Sequence, residues 1–170
     1  MVRNLRRGVV AGAVALMVAA SGVAVSGASV ASKAFPKACA LFSPDIATTA
    51  LGGAVDPATQ TQPNPHETIC KYTRSDQMGF GDTQVGTWQV IQPLSGTKVA
   101  GLGTTAINDN GIGLAVKVGS NGFDVDLSLA VGDFSGAQAD QLQAAELAAE
   151  IATAKTMLAK LGVKAPKPKH

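Results

Sequence analysis

The chain has 170 residues, enough for one domain and a short appendage. Aromatic residues make up only 4%, and two cysteines and two histidines exclude a cysteine-rich scaffold, a four-Cys zinc site and a histidine-rich metal centre. The formal charge of +2 depends on Arg3, Arg6 and Arg7; without these three of its 14 basic residues the chain carries 11 against 12 acidic ones, near −1, which excludes a strongly basic nucleic-acid binder.

Residues 1–31 read as a signal peptide. Arg3, Arg6 and Arg7 form its cationic start, and no charge follows from Gly8 to Ser32. Small residues at Ser26-Gly27-Ala28 and Ser29-Val30-Ala31 offer two cleavage positions. The uncharged run is also long enough to span a bilayer, so retention as an anchor is the alternative. No cysteine follows a lipobox in this segment, so lipid attachment has no site there. Export makes the cysteines meaningful: outside the cytosol Cys39 and Cys70 are expected to form a disulfide. Closing a loop of about 30 residues contributes roughly 3–4 kcal/mol in the chain-entropy treatment. A reactive redox pair would need a C-x-x-C spacing, which is absent.

Ser43-Pro44-Asp45 predicts the start of a short helix. The serine would cap free amides, the proline suits the first helical position and the aspartate suits the positive end. Gly52-Gly53 ends it. Residues 54–66, broken by Pro57, Pro63 and Pro65, predict a loop. A strand is expected over Thr68–Thr73 and another over about Thr83–Gln92, where Trp88 and Val90 compete with Val85 and Ile91 for the inward face. Alternation from Ile112 to Val118 and from Phe123 to Val131 predicts a hairpin, with Asn121-Gly122 as its turn. That turn sets Val118 opposite Val125, Val116 opposite Leu127, Leu114 opposite Leu129 and Lys117 opposite Asp126. The last element is a helix over about Gly136–Leu161, with Ala144, Leu147, Ile151, Ala154, Leu158 and Leu161 on one stripe. Residues 163–170 form a basic, Pro-broken tail expected to be disordered.

Few residues offer chemistry. Gly101-Leu102-Gly103-Thr104-Thr105-Ala106 fits a dinucleotide fingerprint, but it leads into the Asn108-Asp109-Asn110-Gly111 turn rather than a helix and reads as a structural loop. That turn offers oxygens for calcium at a spacing that fails the EF-hand pattern. His66 is a surface-loop histidine with a ligand contact as its functional alternative. Asp124 and Asp126 share one strand face, where they are either solvated carboxylates or a pair for acid–base chemistry or ligand contact. No nucleophile elbow, S-x-x-K pair or phosphate loop occurs. No cofactor, metal or catalytic residue is assigned.

Ala38-Cys39-Ala40-Leu41-Phe42-Ser43-Pro44, Leu51-Gly52-Gly53, Cys70-Lys71-Tyr72 and the Gly101–Ala106 stretch, in that order, resemble an actinobacterial family of secreted proteins and lipoproteins of unknown function. The resemblance covers nearly the whole mature chain and implies an α+β domain, a disulfide and association with the cell envelope or release from it. Related modules serve as sensor domains of membrane kinases, which keeps a ligand-binding role open. The family's lipobox cysteine has no counterpart here.

The expected fold is therefore α+β. An antiparallel sheet of about four or five strands carries the long C-terminal helix on one face, with a short N-terminal helix tied by the disulfide. The domain is expected over residues 32–162. The expected function is that of an exported, non-catalytic binding or envelope-associated protein, a monomer acting on a small ligand or envelope component, without nucleic acid. The alternatives are an exported hydrolase using a carboxylate pair and an interaction or inhibitor module for another secreted protein. A concave apolar pocket between sheet and helix favours the binder, carboxylates converging in a cleft favour the enzyme, and an exposed apolar patch favours the interaction module. Membrane contact is confined to an uncleaved leader or to the tail.

Lys164, Lys167 and Lys169 set the tail apart: without them the mature chain has 8 basic and 12 acidic residues, near −4. Each lysine adds about 1 kcal/mol near an anionic surface, and less in salt. A mature chain ending at Gly162 should melt at the same temperature as the full one, yet bind anionic vesicles less at low salt. Equal binding across a salt series would sink the attachment role.

Overall fold

The computed structural model describes residues 34–103 and 105–163. The expected leader, 1–31, and residues 164–170 of the expected tail lie outside the described residues. Two short helices, α1 (Ala38–Leu41) and α2 (Pro44–Leu51), open the fold. Pro44 begins α2, Asp45 lies in its first turn and Gly52 ends it in the left-handed conformation, as expected. The Ser43 hydroxyl makes no capping bond, contrary to expectation; its carbonyl accepts the Ala47 amide at 2.9 Å, and Pro44 has already removed one of the orphan donors.

The sheet has seven antiparallel strands, not four or five. In chain order these are β1 (Thr59–Asn64), β2 (Glu67–Thr73), β3 (Phe80–Thr87), β4 (Thr97–Lys98), β5 (Thr105–Asn108), β6 (Leu114–Val118) and β7 (Asn121–Ser128), arranged β1-β2-β3-β7-β6-β5-β4. Three of them escape the sequence patterns. β1 falls inside the expected proline loop. It is an exposed edge whose ladder is irregular between Thr61 and Asn64, where Pro63 needs no amide. β4 and β5 are too short for alternation to register.

The second expected strand also divides. β3 ends at Thr87, and α3 (Trp88–Ile91) turns away from it. This explains the competing faces: Val85 is buried from the strand and Ile91 from the helix, while Val90 is exposed. α3 rests on the sheet face opposite the other helices. A Cβ on Gly122 would come within 2.8 Å of the Trp88 ring, so the bare backbone there makes room for the indole.

The hairpin forms with a different turn. Gly119-Ser120 is the two-residue loop, with Gly119 at φ 62°, the position where a II′ turn places glycine, and Asn121 and Gly122 belong to β7. The register therefore pairs Val118 with Asn121, Val116 with Phe123 and Leu114 with Val125, four residues from the expected one. A shift by an even number leaves every side chain on its expected face. Val116, Val125 and Leu127 are buried and Leu129 packs against the core. Lys117 no longer faces Asp126; its ladder partner is Gly122, and its ammonium lies 5.8 Å from the centre of the Trp88 ring. Ile112 and Val131 fall outside the strands and are exposed.

Helix α4 (Ala137–Lys160) completes the layer. Its buried face is Glu150, Thr153, Ala154, Met157 and Leu158; of the expected stripe, Ala154 and Leu158 are buried and Ile151 and Leu161 pack against the core, whereas Ala144 is exposed. α1, α2 and α4 cover the sheet face that carries Cys70, Tyr72, Val85, Leu114, Val116, Phe123, Val125 and Leu127. Phe42 and Tyr72 meet edge to face at 5.4 Å between centroids. The Cys39–Cys70 disulfide ties α1 to β2 across 31 residues. Among the described residues no helix is long and apolar enough to cross a membrane.

Leu127 is 2% exposed. Leu127→Ala should lower stability by about 2–5 kcal/mol in urea unfolding. Ile112→Ala, at a position expected in a strand but 66% exposed, should cost under about 0.5 kcal/mol. Equal costs at the two positions would contradict this register.

Candidate functional site

Asp124 and Asp126 lie on the sheet face away from α1, α2 and α4, as alternation requires, but they are half-buried rather than freely solvated. Asp126 pairs directly with Asp82 of β3, and Asp124 lies between Gln84 of β3 and Ala115 of β6. Like charges placed opposite each other destabilise a ladder, and burial adds to the cost. Asp82 is pushed above the ordinary carboxylate range by burial and pulled back by Lys71, its partner on β2. Asp126 is raised to about 6 by burial and then by Asp82 and Glu146, with Lys71 opposing. Asp124 reaches about 7, chiefly through burial, then through Asp126 and Asp82; its backbone contact at Val125 opposes the rise and Asp109 adds to it. Lys71 divides its charge between these aspartates and the Phe80 ring, 4.8 Å from its ammonium.

Two glutamates of α4 join the cluster. β7 pairs with β3 as far as Ser128, whereas β6 follows it only to Val125. Past that point the Leu127 amide donates to Glu150 Oε1 at 3.3 Å and the Leu129 amide to Glu146 Oε1 at 3.0 Å. Glu150 is 3% exposed. Burial raises it to about 8; the Leu127 amide opposes the rise, and Asp126, Asp124 and Glu146 add to it. Asp82, Glu146 and Glu150 were missed from the sequence. Glu150 did leave a signal, because it sits four and seven residues before Ala154 and Met157 on the buried face. Among the described residues no three histidine, cysteine, aspartate or glutamate side chains are placed to hold a metal ion.

His66 is not part of this cluster. It is exposed in the β1–β2 turn, where its amide donates to Asn64 Oδ1 at 2.9 Å, and it lines a shallow cleft of about 250 Å³ with Phe35, Gln62 and Asn121. That turn lies four residues along β2 from the Lys71–Asp82 level.

A second concavity lies between the sheet and α4. Thr97, Val99 and Asn108 of the β4–β5 edge, the turn residues Asn110 and Gly111, and Asp140, Gln143, Ala144 and Leu147 of α4 line about 550 Å³. The Asn108-to-Gly111 turn forms as expected, with the Gly111 amide donating to Asn108 Oδ1 at 3.1 Å. Gln143 presses directly against Gly111, so the turn and the helix meet at one rim. Val99, Ala144 and Leu147 provide an apolar wall, and the amide side chains of Asn108, Asn110 and Gln143 provide donors and acceptors. Its volume falls within the usual range for small-molecule sites, about 300–1,000 Å³.

No family model, curated protein or solved structure matches this chain.

Carboxyl-carbon NMR should find Asp124 titrating near 7 and Asp126 near 6. Lys71→Ala should move Asp126 further up, because Lys71 holds it down. Titration of both groups near the ordinary value of about 3.9 would mean that the sheet face is open to water.

Proposed function

We propose that this is an exported, non-catalytic binding protein that holds a small ligand between the β4–β5 edge and helix α4. The observation that carries the reading is the cleft itself, which joins an apolar wall to convergent amide groups in a concavity between sheet and helix. The amides suit an uncharged polar molecule with an apolar portion, and Asp140 at the rim suits a hydroxyl or amine. Export rests on the cationic, then uncharged, leader. The Cys39–Cys70 disulfide is compatible with an extracellular location. Membership of the actinobacterial family of secreted proteins and lipoproteins is part of the proposal and rests on the order of the Cys39, Leu51-Gly52-Gly53, Cys70 and Gly101 motifs.

A second reading, an exported hydrolase using Asp124 and Asp126, draws on one observation: at neutral pH one of the two can hold a proton while the other is ionised. Neither residue lines the two clefts described above.

Protein recovered from culture medium and weighed by native mass spectrometry should begin just after Ala28 or Ala31 and be lighter than the reduced chain by two hydrogens. It should also carry a small adduct, which Leu147→Trp should remove by filling the cleft. Retention of the leader in cell-bound material would overturn cleavage and release, a mature chain found with reduced cysteines in the cytosol would overturn export, and an adduct that survives Leu147→Trp would overturn the site.

A further inference from the structure

Among the described residues, the carboxyl groups of α4 stand in for a strand. Beyond Val125 the edge of β7 that β6 covers has no strand partner, yet Leu127 and Leu129 still direct their amides to that side. Glu146 and Glu150 are four residues apart on a helix, a rise of about 6 Å. Leu127 and Leu129 are two apart on an extended chain, a rise of about 6.8 Å. The two spacings match, so the glutamates form a two-rung ladder in place of backbone carbonyls. The aspartates of the open face act on the same group: Asp126 and Asp124 raise Glu150, and Glu146 and Asp82 raise Asp126. Asp109, in the β5–β6 turn, adds to the negative field on Asp124, and Lys71 is the cation that opposes it on Asp82 and Asp126.

We infer that the inner rung of this ladder is a proton-loaded latch: Glu150 holds the middle of α4 on the sheet while it and the neighbouring aspartates are protonated, and loosens that contact as they ionise. Glu150 can accept the Leu127 amide with one oxygen while its other oxygen carries a proton, so protonation keeps the hydrogen bond and removes the repulsion. Ionisation of Glu150 beside Asp124 and Asp126 places several negative charges in one poorly solvated gap. The sign follows from linkage. These carboxyls hold protons in the folded protein that the unfolded chain has already lost, so stability falls as pH rises from about 4, where the unfolded carboxyls ionise, and levels off once the folded ones ionise at about 6 to 8. Asp76, held low chiefly by the Met78 amide, titrates below this window. Asp140, Gln143, Ala144 and Leu147 lie in the turns of α4 just before Glu150, so the latch sets one wall of the sheet–helix cleft whether or not a ligand binds there.

The test is thermal melting of the disulfide-intact mature protein from pH 5.5 to 8.5 at constant ionic strength, with amide exchange followed by NMR and corrected for intrinsic rates. The wild type should lose several degrees across this range. Glu150→Gln keeps the shape and an acceptor oxygen but cannot ionise; its profile should be flatter and should lie above the wild type at pH 8.5. Leu127 and Leu129 amides should lose protection before those of β3. A flat or rising wild-type profile would overturn the latch, as would a Glu150→Gln profile parallel to it. Loss of protection at Leu127 and Leu129 in step with β3 would also overturn it, because the effect would then be global. Should Glu150→Gln fail to fold, Asp124→Asn leaves both rungs intact and must also flatten the profile; an unchanged slope in that variant overturns the proposal.

Discussion

Strand β7 is held by β3 along its whole length and by β6 only as far as Val125, so the amides beyond that point must find acceptors elsewhere. A buried amide left without a partner costs about 1–3 kcal/mol. Helix α4 supplies the acceptors through Glu146 and Glu150. Satisfying those amides fixes the rotation of α4, because the face that carries Glu150 must also be the face that carries Ala154 and Met157 into the core. It also fixes where the helix starts, and with that the wall of the sheet–helix cleft formed by Asp140, Gln143 and Leu147.

The solution has an electrostatic cost. A carboxylate in a poorly solvated gap is unfavourable unless it is paired, and Lys71, which opposes the rise of Asp126, sits across β3 and is shared with the Phe80 ring. Burial and the neighbouring carboxyls therefore push Glu150, Asp124 and Asp126 up, toward the protonated form. This trades some stability at high pH for a connection between helix and sheet that responds to protons. An apolar side chain at position 150 would remove the charge but leave the Leu127 amide unsatisfied.

Elsewhere the structure relies on close packing of small residues and on covalent restraint. The aromatic content of 4% leaves Phe42, Tyr72 and Phe123 as the large rings of the core, with Ala, Val, Leu and Met around them. The disulfide closes the chain between α1 and β2, where α1 is a single turn with little intrinsic helical stability. Both sheet edges are blunted. β1 carries Pro63 and an irregular ladder, and β4 has only two residues. Such edges offer poor templates for pairing with another chain.

By itself the sequence determined what depends on period and on local backbone chemistry. It gave the α+β class, the α2 boundaries at Pro44 and Gly52, the pairing of Cys39 with Cys70, and the inward set Val116, Val125 and Leu127, which survived a register error of four residues because strand faces repeat every two. The turn escaped it because Gly119-Ser120 and Asn121-Gly122 both contain the glycine a tight hairpin needs. Only the third dimension chose between them, since Gly122 must lie in the strand with no side chain where the Trp88 ring sits. The carboxyl site was half legible: alternation placed Asp124 and Asp126 on one face, but Asp82 and Glu150 come from β3 and α4. Asp82 meets Asp126 through the β3–β7 register, and Glu150 reaches the Leu127 amide because β6 is shorter than β7, neither of which a local pattern encodes. The cleft was not legible at all, because its walls come from two segments, Thr97 to Gly111 and Asp140 to Leu147, whose side chains are individually ordinary. Tertiary structure alone decided it, by laying the first turns of α4 beside the β4–β5 edge.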